Sequence, residues 1–226
     1  MNHIYLSKIN QSLSQEAMDN LLKTISRENR EKCQRFKFKE DALRTLYGEL
    51  MVRYFLCQQF SFKNEDIEIL KSDEGKPYIK GFPIHFNISH AGDFVVCVFS
   101  EQEVGIDIEQ IKEVDLGIAK RFFCQNEYKD LLAQKIIDQL DYFYSLWTLK
   151  GSYLKYLGTG ISIPLDSFCF KIAEADISCL DDNREVTQFF KQFPIDGYKL
   201  SVCSMIDDFP DKIKRIGIEE MMFCAD

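Results

Sequence analysis

The stretch His85–Glu109, HFNISHAGDFVVCVFSEQEVGIDIE, decides how the rest of the chain is read. Phe94–Phe99 is an apolar, β-rich run. Val104–Glu109 begins a second, in which Asp107 and Glu109 alternate with Ile106 and Ile108. Side chains at i and i+2 of a strand share a face, so the two carboxylates stand side by side while the isoleucines enter the core. The polar link Ser100–Glu103 predicts a hairpin that folds one run back on the other. Such a hairpin carries Ser89 and His90, at the mouth of the first run, toward the carboxylate pair. Two carboxylates beside a histidine suit a metal ion and a phosphate.

Upstream, His3–Ile9 reads as a strand, and Ser14 as the cap of a helix with Ala17, Met18, Leu21, Leu22 and Ile25 on its apolar face. The segment Ser26–Asp41 carries Arg27, Arg30, Lys32, Arg35, Lys37 and Lys39, the most basic part of the chain. It is either a solvated helical face or one wall of an anion site. From Lys39 to Phe60 paired apolar residues recur with helical spacing, from Ala42/Leu43 to Tyr54/Phe55, and Arg44 lies beside that stripe. Asp66–Leu70 reads as a short strand. Gly75 and Pro77 make Ser72–Tyr78 a turn from which Lys76 projects.

Downstream, Asp115–Phe123 and Asn126–Gln134 read as short helices, the second capped by Asn126. Asp138–Leu157 reads as a long helix ended by Gly158, with Lys150 and Lys155 on its polar side. Their five-residue spacing is read as placing them on adjacent faces. Phe168–Ile172 and Tyr198–Met205 read as strands. The expected architecture is α+β, with two similar halves related by a pseudo-twofold axis. Each half is a small antiparallel sheet on a long helix. The halves divide as 1–103 and 104–226 and pack with the site between them.

With 226 residues, 46% hydrophobic and 28% charged, the chain suffices for one large domain or two small ones sharing a core. A net charge of −8 argues against nucleic acid as the main partner, because no basic surplus is present to neutralise phosphates. None of the eight cysteines forms a C-x-x-C pair. The N-terminal MNHIYLSKIN resembles neither a signal nor a transit peptide, and no apolar stretch approaches membrane-spanning length. Reduced thiols in the cytoplasm are therefore expected. Two carboxylates on one strand face suit Mg²⁺, and Arg44, Lys76, His90, Lys150 and Lys155 suit a ligand with several phosphates. That inventory fits phosphoryl transfer, although an isolated D-x-E or histidine is equally an ordinary structural feature.

The segments FNISHAGDFVVCVFS, VGIDIE, FFCQNEYKDLL and FYSLWTLKGSYLKYLGTGISIPLDSF, in this order and at these separations, closely resemble phosphopantetheinyl transferases of the surfactin-synthetase-activating (Sfp) type. The resemblance extends upstream through SRENREKCQRF, KEDALRTLYGELMVR and GKP. It implies coenzyme A as substrate, with Mg²⁺ (Mn²⁺ as a substitute), and transfer of the phosphopantetheine arm to a serine of a peptidyl or acyl carrier protein. Adenosine 3′,5′-bisphosphate is the implied second product. By the same resemblance Asp107 and Glu109 hold the metal. Ser89, His90 and Arg44 hold the nucleotide 3′-phosphate, Lys76 and Pro77 lie near the adenine, and Lys150 and Lys155 face the pyrophosphate. Lys155 and Glu127 are the catalytic candidates, Glu127 as the group that deprotonates the carrier serine. Trp147 is read as packing. The carrier is expected to dock along Gln110–Cys124, and the protein to be a monomer.

One position departs from the family pattern. W-x-x-K-E reads here W-T-L-K-G, so Gly151 stands where the family places a metal-binding glutamate. An enzyme of reduced activity is the leading expectation, a coenzyme A- or carrier-binding module without catalysis the second. A metal-dependent nucleotide phosphohydrolase is a third.

Overall fold

The computed structural model describes residues 1–173 and 176–222; Cys224 lies outside them. In the first half β1 (His3–Lys8) leads through α1 (Gln15–Leu22) and α2 (Arg27–Arg35) into α3 (Lys39–Phe60). Ser14 and Ser26 cap α1 and α2, accepting from the N–H of Ala17 and Asn29 and so satisfying donors that a helix start leaves free. The α3 pairs from Ala42/Leu43 to Tyr54/Phe55 are buried. β2 (Ile69–Lys71), β3 (Pro77–Ile79), β4 (His85–Ala91) and β5 (Phe94–Ser100) follow. β5 lies between β4 and β1, antiparallel to both. Its side chains alternate: Val95, Cys97 and Phe99 pack toward α3, and Val96 and Val98 face the other way.

The second half begins with β6 (Val104–Gln110), α4 (Ala119–Phe122), α5 (Gln125–Ala133) and α6 (Ile136–Leu157). β7 (Phe168–Ile172), β8 (Ile177–Asp181) and β9 (Arg184–Glu185) form a small antiparallel sheet. β10 (Phe189–Ile195) and β11 (Tyr198–Ser204) pair with each other, and β11 pairs with β6. Ile106, Ile108, Leu200 and Val202 then meet Ile4, Leu6, Val96 and Val98 in a core between the two sheets. The layers therefore run α3, first sheet, second sheet, α6, which is the mixed α+β architecture expected. A Cβ on Gly105 would lie 2.9 Å from Cα of Tyr156. Only a glycine lets β6 seat this closely on α6.

Three expectations are corrected, and the end of the chain packs against the first half. β5 and β6 do not form a hairpin: both edges of β5 are taken by β4 and β1, and β6 opens the second sheet instead. The chain's end crosses the expected division at 103/104. β12 (Lys214–Arg215) runs parallel to β1, and α7 (Ile218–Met222) places Ile218 and Met221 in the core around α3. The cap of α5 is Cys124, not Asn126. Finally, Cys124 and Cys169 are joined by a disulfide rather than reduced. No described helix is long and apolar enough to cross a membrane.

Candidate active site

Where β4 crosses β6, side chains replace a backbone ladder. Asn87 Oδ1 accepts from the N–H of Ile106 (3.0 Å), and Ser89 Oγ accepts from the N–H of Ile108 (3.3 Å). The alternation of β6 sends Asp107 and Glu109 away from the core, toward α6. Ser89 Oγ donates to Asp107 Oδ1 (3.0 Å), and Lys155 Nζ donates to both Asp107 Oδ1 and Ser89 Oγ (2.7 Å each). One strand from the first half, one from the second and α6 thus converge on a single buried carboxylate. Ser89 does reach the pair, as a strand residue facing β6 rather than through a hairpin.

Glu109, half-buried beside Asp107, has its carboxyl pushed up to about 7. Burial is the main cause and the charge of Asp107 the second; Lys155 and the indole N–H of Trp147 pull the other way. Trp147 therefore both packs, stacked on Phe143 at 5.5 Å, and touches the carboxylate cluster. Two neighbouring carboxylates, one of them raised by burial and by the charge of the other, with oxygen as the only donor type, fit a hard cation such as Mg²⁺. Across the gap, a Cβ on Gly151 would fall 2.7 Å from Cγ of Asp107. The Asp107 carboxylate occupies space that any side chain at 151 would claim.

Beside the cluster a cleft of about 240 Å³ is lined by Lys32, Arg44, His90, Ser26 and Asn29. Its α2 wall is fixed by Glu49, which accepts from Ser26 Oγ (2.7 Å), Asn29 Nδ2 (2.6 Å) and Arg53 Nε (2.8 Å). Arg44 is held by Asp41 (2.7 Å) and the carbonyl of Gly92 (3.0 Å). The His90 ring reaches solvent, yet its pKa is held below the ordinary histidine value, first by desolvation in the cleft and then by Lys155, Arg44 and Lys32. Three cations around a neutral imidazole make an anion site. Of the basic run, Lys32 is the residue delivered to it, which the sequence pattern did not single out.

Other candidates lie elsewhere. Lys76 Nζ turns to Glu103 (2.5 Å) and the carbonyl of Tyr156 (3.0 Å) in a separate cleft of about 750 Å³. Only Pro77 of that turn borders the cationic cleft. Glu127 and Lys150 form a buried ion pair at 2.8 Å, their side chains 0% and 1% exposed. Lys150 spends its other two protons on the carbonyls of Leu165 and Phe168 (2.7 Å each). Glu127 accepts from the N–H of Cys124 (2.9 Å) and Phe170 (2.7 Å). Burial raises the pKa of Glu127 and lowers that of Lys150, each opposed by the other's charge.

A model described as 4′-phosphopantetheinyl transferase, N-terminal, matches residues 12–103, and that of the 4′-phosphopantetheinyl transferase superfamily matches residues 103–203. The chain is 43% identical over 222 residues to 4′-phosphopantetheinyl transferase Sfp of Bacillus subtilis, covering 97% of this chain and 99% of that one. The chain belongs to the 4′-phosphopantetheinyl transferase superfamily. It is also 35% identical over 216 residues to 4′-phosphopantetheinyl transferase gsp of Aneurinibacillus migulanus, covering 95% and 91% of the two chains. Holo-[acyl-carrier-protein] synthase of Thermotoga maritima superposes with a TM-score of 0.39 and 18% identity over 45% of this chain and 61% of that one.

Two residues named from the sequence are engaged with other protein groups in this structure. Lys150 has all three N–H groups engaged, so none is left for a pyrophosphate. Glu127 has both oxygens engaged and no exposure, so it is closed to a carrier serine. Five residues along a helix turn the side chain by about 140°, which sends Lys150 and Lys155 to opposite sides of α6 rather than to adjacent faces.

Proposed function

We propose that this chain transfers the 4′-phosphopantetheine arm of coenzyme A to a serine hydroxyl of apo peptidyl or acyl carrier proteins, releasing adenosine 3′,5′-bisphosphate. The observation that carries this reading is the Ser89–Asp107–Lys155 cluster at the seam, set beside the cleft of Lys32, Arg44 and His90. The cleft takes the nucleotide phosphates, with Pro77 at its edge toward the adenine. Lys155 extends from the cluster to the pyrophosphate. Asp107 and Glu109 hold Mg²⁺, with Mn²⁺ as a substitute; the ion supplies charge neutralisation on the pyrophosphate. Ser89 orients Asp107, and Lys155 balances its charge before the ligand arrives. The carrier meets Gln110–Cys124, where Lys112, Lys120 and Arg121 offer a basic patch to an acidic partner. We place the protein in the cytoplasm as a monomer, its site between the units expected at 1–103 and 104–226.

The test is intact-mass analysis of an apo carrier incubated with the protein, coenzyme A and Mg²⁺, with and without metal. Addition of one phosphopantetheine arm that requires metal is expected. Coenzyme A binding without addition refutes the transferase and supports a binding module disabled at Gly151. Phosphopantetheine released without carrier points to a phosphohydrolase.

A further inference from the structure

Cys33, Cys97, Cys179 and Cys203 are buried in the apolar clusters, and Cys57 is partly so. Cys124 and Cys169 differ: both are half-exposed, their sulfurs are joined, and their Cα atoms lie 5.7 Å apart, within the ordinary disulfide range. The surroundings of the pair are specific. Cys124 is the N-cap of α5, where its side chain accepts from the N–H of Glu127 while Glu127 accepts from the N–H of Cys124. Cys169 sits in β7 between Phe168, whose carbonyl holds Lys150, and Phe170, whose N–H holds Glu127. The sulfur bridge and the Glu127–Lys150 pair therefore tie the same two elements, the start of α5 and the edge strand β7, across 45 residues of chain.

We propose that Cys124 and Cys169 are a modification site: a reversible thiol pair, closed by exchange with low-molecular-weight disulfides, that clamps the start of α5 to β7. The exchange runs from Cys124, the N-cap of α5. Its sulfur attacks R–S–S–R, forming Cys124–S–S–R and releasing one RS⁻. The Cys169 thiolate then attacks the Cys124 sulfur, closes the bridge and releases the second RS⁻. Two protein thiols are oxidised, one disulfide is reduced to two thiols, and the two protons from the protein thiols are taken up by the released thiolates or solvent. A half-exposed pair of this kind is the reversible type expected of disulfides in a reducing compartment. Cys124, Glu127 and Cys169 also offer three ligand atoms within 4.8 Å of one another, so zinc is the competing occupant of the reduced pair. The Lys150 ammonium already at Glu127 disfavours it.

Cys124 also ends the segment proposed to meet the carrier. An effect of the bridge on carrier binding rests on the transfer reading, whereas the bridge itself does not. The experiment holds the reduced protein in glutathione disulfide, denatures it, alkylates free thiols and maps the peptides by mass. Two of the eight cysteines are expected to escape alkylation, those at 124 and 169. The melting temperature should rise by on the order of 5–10 °C over the reduced form, and dithiothreitol should reverse both changes. Cys124→Ser keeps a capping oxygen and cannot bridge, so it should fold and show no shift, as should Cys169→Ser. Under the transfer reading, reduction raises the KM for carrier several-fold and leaves that for coenzyme A unchanged; an unchanged carrier KM overturns the link to docking. Full alkylation after oxidation, a different cysteine pair, an unshifted melting temperature, or stoichiometric zinc in the purified protein overturns the clamp itself.

Discussion

Gly151→Ala should destabilise this protein, although glycine-to-alanine in a helix interior ordinarily stabilises by about 1 kcal/mol. The added Cβ would sit 2.7 Å from Cγ of Asp107, so the carboxylate must leave its place. Leaving it weakens the bonds from Ser89 Oγ (3.0 Å) and Lys155 Nζ (2.7 Å). A hydrogen bond to a buried charge is worth about 1.5–3 kcal/mol. Because Lys155 is about one-third exposed, its share is discounted to less than about 1 kcal/mol. A total loss of about 2 kcal/mol against a gain of about 1 leaves a net destabilisation of about 1 kcal/mol. In the Asp107→Ala background the obstructing atoms are gone, so Gly151→Ala should instead stabilise by up to about 1 kcal/mol. The coupling between the two sites is then about 2 kcal/mol, read from urea unfolding at constant m-value. Equal stabilisation in both backgrounds would refute the argument that Asp107 is pinned against a bare helix backbone. Gly151→Glu meets the same carboxylate and adds a third negative charge. It should lose stability in metal-free buffer and regain it with Mg²⁺.

Three further outcomes follow from the geometry. The pKa of His90 is lowered, so on this account stability is lost as pH falls below about 6.5, where the unfolded imidazole protonates first. A phosphate in the cleft reverses the shift: binding of adenosine 3′,5′-bisphosphate near pH 6 should take up a proton, measured by calorimetry in buffers of different ionisation heat, and His90→Gln should abolish it. Lys150→Met leaves Glu127 buried without its partner and should cost about 3–5 kcal/mol. Lys155→Met should cost less than about 1 kcal/mol yet abolish most carrier modification, and similar stability losses in the two would contradict the roles assigned. Asn87→Ala strands the N–H of Ile106 inside the seam and should destabilise by about 1–3 kcal/mol; hydrogen exchange at that amide should accelerate.

Much of the fold was legible because it follows single-element periodicity. The α3 stripe, the alternation in β6 and the αL glycine at 158 are local patterns. The seam was not, since its logic is tertiary. The sequence places Ser89 and His90 only at the mouth of the first run, whereas in the structure Asn87 and Ser89 lie in a strand and substitute for a missing ladder to β6. The hairpin expectation failed for the related reason that pairing preference says nothing about which edges are already taken. Among site residues, Asp107, Glu109, Ser89, His90 and Arg44 fell in recognisable motifs. Lys32 was one basic residue among six in its run, and only the docking of α2 by Glu49 selects it. Gly151 was visible as a departure, but not the reason it is tolerated, which requires knowing where the Asp107 carboxylate lies.

Helix α6 carries two lysine–carboxylate pairs of opposite design. Lys150–Glu127 is fully buried, and every proton and oxygen has a protein partner. Such a pair contributes little net stability, since desolvation offsets its Coulomb energy. Its geometry, however, admits one placement of α6 against β7 and α5. Lys155–Asp107 lies on the other side of the same helix and is partly exposed, and its ammonium remains able to turn to an incoming anion. The exposed pair is useful only if the helix does not shift, because Gly105 leaves β6 in near backbone contact with α6 and Gly151 sits against the Asp107 side chain. The buried pair therefore acts on the site through position rather than chemistry. This explains how Glu127 and Lys150 can fall within the family's sequence motifs without either reaching the cleft.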